Sequence, residues 1–330
     1  MFFHPVNILF MGTLIFSLCL IFSMNTWVMV WLGLELNLLS FIPIMLKKNN
    51  KYNVEAGLKY FLIQSLGSMY LLMSFIFGFL MFSKGVSFFI LVALFMKMGA
   101  APTHSWFPSV IEGLTWPHAF VLMTLQKLGP LSLIPFVLMN SSSFYIVYFY
   151  LVSSALVGAV MGLNQSSLRK ILAFSSINHT GWMLACCCLT KLYWIIYILV
   201  YSLILVPIIL VLYKLQLFFI NHVFKIPNFF FNIMFSVSFM SLGGLPPFTG
   251  FMLKLLVVKE LINFMTNYFI LFILLFSSFF SLFYYFRLML YYFMLSFTNS
   301  INFFFFNKFS FFLVMLNVSG IFILVFFYFI

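Results

Sequence analysis

Apolar runs long enough to cross a lipid bilayer follow one another from one end of the chain to the other. The hydrocarbon core of a bilayer is about 30 Å thick and takes about 20 helical residues to cross. Of the 330 residues, 65% are hydrophobic and 6% are charged, a balance that no soluble core of this size needs. The short alternating segments of a transmembrane barrel are absent. The sequence therefore predicts an all-α polytopic membrane protein.

Two of the predicted membrane-spanning helices contain a break. Eleven helices are predicted, at residues 6–24, 26–46, 54–82, 86–112, 115–138, 144–162, 167–189, 192–219, 228–263, 267–294 and 308–329. Glycine and proline at residues 99–102 interrupt the fourth helix, and those at residues 243–247 interrupt the ninth. Each break takes fourth place in a group of five helices. The pattern predicts one transmembrane domain with two inverted repeats, 6–138 and 144–294, and an extra C-terminal helix, which is typical of transporters.

Basic residues mark the two faces of the membrane differently. Seven of them fall in loops or at loop edges on the side of the N-terminus: Lys47, Lys48, Lys51, Arg169, Lys170, Lys225 and Lys308. The opposite side carries Lys84 and Lys191. The positive-inside rule predicts an N-terminus in the cytoplasm or matrix and a C-terminus outside. The net charge of +12 is scattered rather than gathered on one face, so we expect no nucleic-acid partner.

Five ionisable residues are predicted to lie near mid-membrane: Glu35, Lys97, Lys127, His179 and Lys254. A charge at that depth costs about 2.5 to 3.5 kcal/mol even on a lenient scale, so these side chains must face the protein interior and water. One glutamate cannot neutralise three lysines, which argues against ion pairs that only fix helix register. Burial in general lowers the pKa of a lysine toward ambient pH, which suits lysine to proton transfer.

The remaining charges and the cysteines carry no predicted chemistry. Charges at helix ends are expected to reach the interface: Glu55, Lys59, Glu112, Lys214, Lys259, Glu260 and Arg287. Residues 186–188 are consecutive cysteines, which point about 100° apart on a helix and cannot chelate one metal. The sequence has no glycine-rich nucleotide motif and no spaced cysteines for a flavin, nicotinamide or iron–sulfur site. No metal or cofactor is therefore expected in this chain.

Five segments form an ordered set of motifs between residues 33 and 254. They are 33–43 (GLELNLLSFIP), 55–64 (EAGLKYFLIQ), 97–108 (KMGAAPTHSWFP), 170–182 (KILAFSSINHTGW) and 241–251 (SLGGLPPFTGF). Together they resemble the subunit 2 family of mitochondrial NADH:ubiquinone oxidoreductase, respiratory complex I. The resemblance implies an antiporter-like fold, whose animal members lack three N-terminal helices and keep eleven. Thr103 and Ser105 depart from the aromatic residues that are usual there.

The resemblance also implies a function. It assigns proton transfer to Glu35, Lys97, Lys127 and Lys254, with His179 as a member of the same polar axis. The chain would be a non-redox core subunit of the enzyme, with NADH, FMN, iron–sulfur clusters and ubiquinone held by partner subunits. Expected partners are subunits 4 and 4L, accessory subunits and lipids such as cardiolipin.

Two other functions stay open at the level of the sequence. One is a stand-alone cation/proton antiporter or another subunit of the same complex, although such relatives are usually longer. The other is a structural spacer of the membrane arm, whose buried charges would only fix helix packing. The expected location is the mitochondrial inner membrane, with the N-terminus in the matrix and the C-terminus in the intermembrane space. The 51 phenylalanines favour a T-rich organellar gene.

Overall fold

The described part of the chain is helical. The computed structural model describes residues 5–46, 51–79, 83–138, 143–189, 193–220, 229–263 and 268–296, and the single positions 315, 317 and 318. Within these residues there is no β-strand, only an isolated bridge between Ser167 and Phe219. The helices are α1 (Pro5–Ser23), α2 (Trp27–Met45), α3 (Lys51–Phe79), α4 (Ser83–Met98), α5 (Trp106–Gly113), α6 (Trp116–Met123), α7 (Leu125–Val137), α8 (Phe144–Leu163), α9 (Leu168–Leu189), α10 (Tyr193–Leu215), α11 (Phe229–Gly243), α12 (Thr249–Asn263) and α13 (Tyr268–Ser296).

Eight of the described helical segments are long and apolar enough to cross a membrane. They comprise α1, α2, α3, α6 together with α7, α8, α9, α10 and α13. The other described helices, α4 with α5 and α11 with α12, are the halves of the two interrupted spans. The prediction of an all-α polytopic protein with two discontinuous helices is therefore confirmed. The predicted helix at 308–329 lies outside the described residues, except for 315, 317 and 318, which are helical.

The structure contains one helix break that the sequence did not predict. The predicted helix 115–138 divides into α6 and α7 at Thr124, whose φ and ψ are −118° and −75°. The Thr124 hydroxyl donates a hydrogen bond to the Phe120 carbonyl at 2.7 Å, a contact that competes with the backbone ladder and bends helices. The Lys127 amide then bonds to the Thr124 carbonyl at 3.1 Å, one residue short of the α-helical spacing. The fifth span is thus a third broken helix, and it breaks beside Lys127.

The contacts divide the chain into two compact units, Met1–Ser153 and Ser154–Ile330. In the first unit, α4 ends at Gly99, whose φ is +71°. The Gly99 amide donates to the Met96 carbonyl at 3.2 Å and the Ala100 amide to the Phe95 carbonyl at 3.1 Å. This is a Schellman cap, which needs a residue with positive φ after the helix and therefore favours glycine.

The second unit contains a cap of the same kind at the end of α11. Gly244 has a φ of +79°, and its amide donates to the Ser241 carbonyl at 3.1 Å. The Leu245 amide donates to the Met240 carbonyl at 3.3 Å. The helices before both predicted breaks therefore end in the same way. In each, two carbonyls of the last turn accept hydrogen bonds from backbone amides.

Helix α9 is the buried centre of the second unit, because most of its residues are buried. Its short polar side chains are accommodated by its own backbone. Ser175, Ser176 and Thr180 each donate to the carbonyl three residues earlier, at 2.8, 2.8 and 2.6 Å. Helix α8 packs so closely on α9 that a Cβ on Gly158 would lie 2.5 Å from the Asn178 nitrogen. The buried hydroxyls thus need no partner in lipid.

The division of the chain into repeats 6–138 and 144–294 stays a prediction, because the two units are set by contacts and not by symmetry. Helix α8 begins in the first unit and ends in the second. Large apolar side chains such as Phe272 and Phe279 of α13 are exposed. Apolar surface of this kind suits a lipid or partner environment.

Candidate functional site

Glu35 and Lys97 occupy one buried region of the first unit. Lys97 stands in the last turn of α4 with 6% of its surface exposed, and Glu35 of α2 is half-buried. Glu35 lies within electrostatic range of Lys97. Within the described residues, neither the Lys97 Nζ nor the Glu35 Oε1 forms a hydrogen bond, although both atoms are buried. Buried charged atoms in that state leave hydrogen-bonding capacity for water.

The backbone around Lys97 is held by side chains from two other elements. The Gln64 amide of α3 donates to the Lys97 carbonyl at 3.1 Å, and the Trp106 indole donates to the Met96 carbonyl at 3.2 Å. A Cβ on Gly67 would lie 3.1 Å from the Lys97 Cγ, so glycine at residue 67 lets α3 pack closely on the lysine stem. These contacts fix where the stem leaves the backbone.

Lys127 lies in the same unit, in the first turn of α7, with 1% of its surface exposed. Its Nζ is 5.0 Å from the centroid of the Phe107 ring, a distance at which a cation is attracted to an aromatic face. Next to it, Gln126 accepts a hydrogen bond from the Tyr60 hydroxyl at 3.2 Å. Tyr60 also lies within electrostatic range of Glu35. Tyr60 and Gln126 therefore connect the surroundings of Glu35 to the turn that carries Lys127.

Lys254 occupies the corresponding break in the second unit. It is 7% exposed, and its Nζ donates a hydrogen bond of 2.6 Å to the Gly243 carbonyl at the end of α11. The C-terminal end of a helix carries partial negative charge, which favours a cation there. Its Nζ is also 5.9 Å from the Trp182 ring centroid. A Cβ on Gly244 would lie 2.9 Å from the Lys254 Cδ.

His179 lies on α9 three residues before Trp182, so both side chains project from one face of the helix. The imidazole is 5% exposed, and its Nδ1 is 2.9 Å from the Tyr197 hydroxyl of α10. The Tyr201 ring centroid is 4.8 Å from that of the imidazole. Since the Lys254 Nζ lies 5.9 Å from the Trp182 ring centroid, Lys254 of α12 approaches α9 within one turn of the histidine.

The structure brings the predicted residues together within each unit. Glu35, Lys97 and Lys127 belong to the first, and His179 and Lys254 to the second. The three lysines and the histidine are all buried. Sequence analysis missed Tyr60, Gln64, Gln126 and Tyr197 as contacts of the charged residues. The signal for the first two was present, because a tyrosine and a glutamine four residues apart share one face of a membrane helix.

The charges at helix ends do not all behave alike. Lys59 and Glu55 form an exposed ion pair at 2.6 Å, as a surface position predicts. Arg287 does not simply extend toward the interface. Its guanidinium donates to the Leu163 carbonyl at 2.6 Å and to the Gln165 carbonyl at 3.0 Å, and so it caps the end of α8. In the described residues, no group of three histidine, cysteine or acidic side chains could hold a metal ion.

The fold and the buried charges define a class of protein, a membrane chain with discontinuous helices that carry lysine at their breaks. A family model described as NADH:quinone oxidoreductase/Mrp antiporter, TM, matches residues 24–281, more than half of the chain. A chain of respiratory complex I from Thermus thermophilus matches with a TM-score of 0.79 at 22% identity, covering 97% of this chain and 77% of that chain. A chain of the Mrp complex from Dietzia sp. matches with a TM-score of 0.70 at 15% identity, covering 91% and 61%. These structures establish an antiporter-like fold.

Named relatives narrow the class further. The chain is 40% identical over 306 residues to NADH-ubiquinone oxidoreductase chain 2 of Anopheles gambiae, which covers 88% of this chain and 87% of the relative. It is 38% identical over 267 residues to the protein of the same name from Lumbricus terrestris, with 79% of each chain covered. The chain belongs to the family of NADH-ubiquinone oxidoreductase chain 2, as its motifs predicted.

Proposed function

We propose that this chain is a non-redox membrane-arm subunit of a proton-pumping NADH:ubiquinone oxidoreductase and that it forms a proton-translocating channel. The observation that carries the proposal is made at Lys97 and Glu35, whose Nζ and Oε1 atoms are buried near an interrupted helix without a hydrogen bond in the described residues. Family membership supports it. Ion pairs that served packing alone would have their hydrogen bonds satisfied.

The partners follow from the same proposal. Other subunits of the oxidoreductase complex hold NADH, FMN, the iron–sulfur clusters and ubiquinone, and electron transfer there drives this chain from a distance. The neighbours are subunits 4 and 4L, accessory subunits and lipids such as cardiolipin. The location is the mitochondrial inner membrane, with the N-terminus in the matrix and the C-terminus in the intermembrane space.

Electrostatic coupling between neighbouring groups supplies the mechanism. Two unit charges 8 Å apart at an effective dielectric constant of 20 interact by about 2 kcal/mol. That energy changes the ratio of protonated to neutral lysine by roughly 30-fold. Lys97, near Glu35, and Lys254 take up protons from the matrix side, and Lys127 and His179 pass protons on for release at the opposite face. A change of charge near Glu35 therefore shifts the balance between protonated and neutral Lys97.

The variants Lys97→Met and Lys254→Met, measured in the assembled complex, separate this function from a structural spacer. At Lys254 the loss of a charged hydrogen bond costs about 1.5 to 3 kcal/mol, and the relief of a buried charge returns about 2.5 to 3.5 kcal/mol. The two terms nearly offset, so we expect normal assembly on native gels. We expect the number of protons pumped per NADH oxidised to fall in both variants.

A matched control is Lys259→Met, which removes an exposed lysine from the same helix as Lys254. It should leave both assembly and pumping unchanged. Loss of assembly with normal pumping by the complexes that remain would instead favour the spacer. Normal assembly with normal pumping in both buried-lysine variants would contradict the channel.

A further inference from the structure

The connection between α8 and α9 in the second unit is held by two other elements. The Leu168 amide donates a hydrogen bond to the Phe218 carbonyl at 2.9 Å, and the Ile220 amide donates to the Ser166 carbonyl at 3.1 Å. Arg287 of α13 donates to two further carbonyls of the same connection. The start of α9 is thus fixed in place, and the proton path proposed above contains none of these residues.

Ser167 is the N-cap residue of α9, because its carbonyl accepts the first helical hydrogen bond, from the Ile171 amide at 3.1 Å. The hydroxyl of an N-cap serine usually accepts a hydrogen bond from an amide of the first turn. The Ser167 side chain is 7% exposed, yet its Oγ forms no hydrogen bond within the described residues. A buried hydroxyl without a partner is costly, so this one is available to a ligand at the positive end of the helix dipole.

Three basic side chains, all partly exposed, lie at this helix start: Arg169, Lys170 and Arg287. The Arg169 guanidinium lies 4.4 Å from the centroid of the Phe218 ring. The Arg287 Nε is buried and has no hydrogen-bond partner among the described residues. Helices α8, α9, α10 and α13 contain none of the four acidic residues of the chain. These helices therefore supply no carboxylate to neutralise the positive charge.

An exposed apolar strip of α13 continues from Arg287 toward the membrane interior. Phe283 and Phe279 come four and eight residues before Arg287 and are 59% and 69% exposed. Residues at this spacing share one face of a helix. An acyl chain gains by packing on such a surface, whereas a free phosphate ion gains nothing from it. The charge at the helix start and the apolar strip beside it together fit a phospholipid.

We propose that the start of α9 binds the phosphate group of an anionic phospholipid, whose acyl chain lies along Phe283 and Phe279. Helix N-termini bind phosphate, and basic pockets between membrane helices bind lipid headgroups. The Ser167 hydroxyl donates to a phosphate oxygen, and Arg169 and Lys170 neutralise the charge. In the topology predicted from the sequence, the lipid belongs to the leaflet on the side of the N-terminus. The proposal gives residues to the lipid contact expected above and does not depend on the proton channel.

The variants Ser167→Ala and Arg169→Gln test the site in the assembled complex. The complex is washed in a mild detergent, and the phospholipids that it retains are extracted and counted by mass spectrometry. Each variant should retain one phospholipid fewer per complex than the wild type. Arg169→Lys keeps the charge and should retain the lipid. The matched control Lys51→Gln removes an exposed lysine of the first unit, predicted on the same membrane face, and should behave as the wild type.

Heat inactivation of the washed complex gives a second measurement, because a ligand that binds the native state stabilises it. The complex is placed in vesicles of phosphatidylcholine that contain increasing amounts of phosphatidylglycerol. The amount of phosphatidylglycerol that restores half of the lost heat stability should be about fivefold higher for Arg169→Gln than for the wild type, which is the effect of one basic residue at an anionic membrane surface. Arg169→Lys and Lys51→Gln should give the wild-type value.

Three results would overturn the proposal. The first is equal lipid retention by the wild type, Ser167→Ala and Arg169→Gln. The second is an equal loss of lipid in Lys51→Gln, because the general positive charge of the face would then explain the binding. The third is binding of radiolabelled inorganic phosphate to the washed complex that Arg169→Gln abolishes without any loss of lipid, since the ligand would then be a free ion. Should Arg169→Gln fail to assemble, Ser167→Ala decides, because it removes a single hydroxyl. None of these measurements involves pumping, so they test the lipid site separately from the proposed function.

Discussion

Gly244→Ala tests whether the position of the Lys254 ammonium controls proton transfer. Gly244 has a φ of +79°, where any other L-residue costs about 1 to 2 kcal/mol. The new Cβ would lie 2.9 Å from the Lys254 Cδ and 3.0 Å from its Nζ. The lysine stem is flexible and can move away, but the 2.6 Å hydrogen bond to Gly243 is then stretched or lost. That loss adds about 1.5 to 3 kcal/mol.

The total destabilisation expected for Gly244→Ala is about 2.5 to 5 kcal/mol from these two terms. Gly99→Ala offers a comparison, since its φ of +71° carries a similar backbone cost. Its Cβ would meet the Phe107 side chain at 3.0 Å, and that ring lies 5.0 Å from the Lys127 Nζ, so Gly99→Ala reaches a buried lysine only through a neighbouring ring. The temperature of heat inactivation and the protons pumped per NADH oxidised should be measured for both variants in the assembled complex.

We expect both variants to lose heat stability, and Gly244→Ala to lose more pumping than Gly99→Ala for the same loss of stability. A misplacement of about 1 Å at a reacting group can cost on the order of 100-fold in rate. Pumping losses that simply follow the loss of heat stability in the two variants would refute the reasoning. The lysine position would then matter only through the stability of the break.

Two further predictions concern packing and a surface pair. Gly158→Ala should sharply reduce the amount of assembled complex on native gels. The new Cβ would lie 2.5 Å from the Asn178 nitrogen and 2.8 Å from the Phe174 carbonyl oxygen, and backbone atoms of a helix cannot move aside as a side chain can. A normal amount of assembled complex would show that α8 can shift away from α9. Glu55→Gln should leave heat stability and pumping unchanged, since the exposed ion pair with Lys59 contributes about 0.5 kcal/mol or less to the free energy of unfolding. A drop in pumping would assign Glu55 to the proposed proton path.

The broken helices could be predicted from the sequence because their cause is local. Glycine followed by proline limits the backbone whatever surrounds it, and Gly99 and Gly244 lie where those patterns are. The interruption at Thr124 could not be predicted in the same way. Its signal is one threonine hydroxyl that bonds to a carbonyl four residues back, and many threonines in membrane helices do this without ending the helix.

The candidate site was predictable as a set of residues but not as a set of contacts. Depth identifies Lys97 and Lys127, and the neighbouring break identifies Lys254, because the cost of a buried charge demands an explanation. The bond from Tyr60 to Gln126 joins residues 66 positions apart, and no pattern in the sequence reports such a distance. Glu260 was placed with the interfacial charges for the same reason. Its carboxylate accepts a hydrogen bond from the Tyr193 hydroxyl at 3.4 Å, a contact across 67 positions of the chain.

The end of α4 is already tied down from every side. Its last carbonyls are taken by Gly99, Ala100, Gln64 and Trp106, so a bend there would break several hydrogen bonds at once. The C-terminal end of α4 is therefore rigid and does not act as a hinge. We expect the part that moves during turnover to be the four-carbon side chain of Lys97, which can reorient its ammonium without breaking the hydrogen bonds of the helix end.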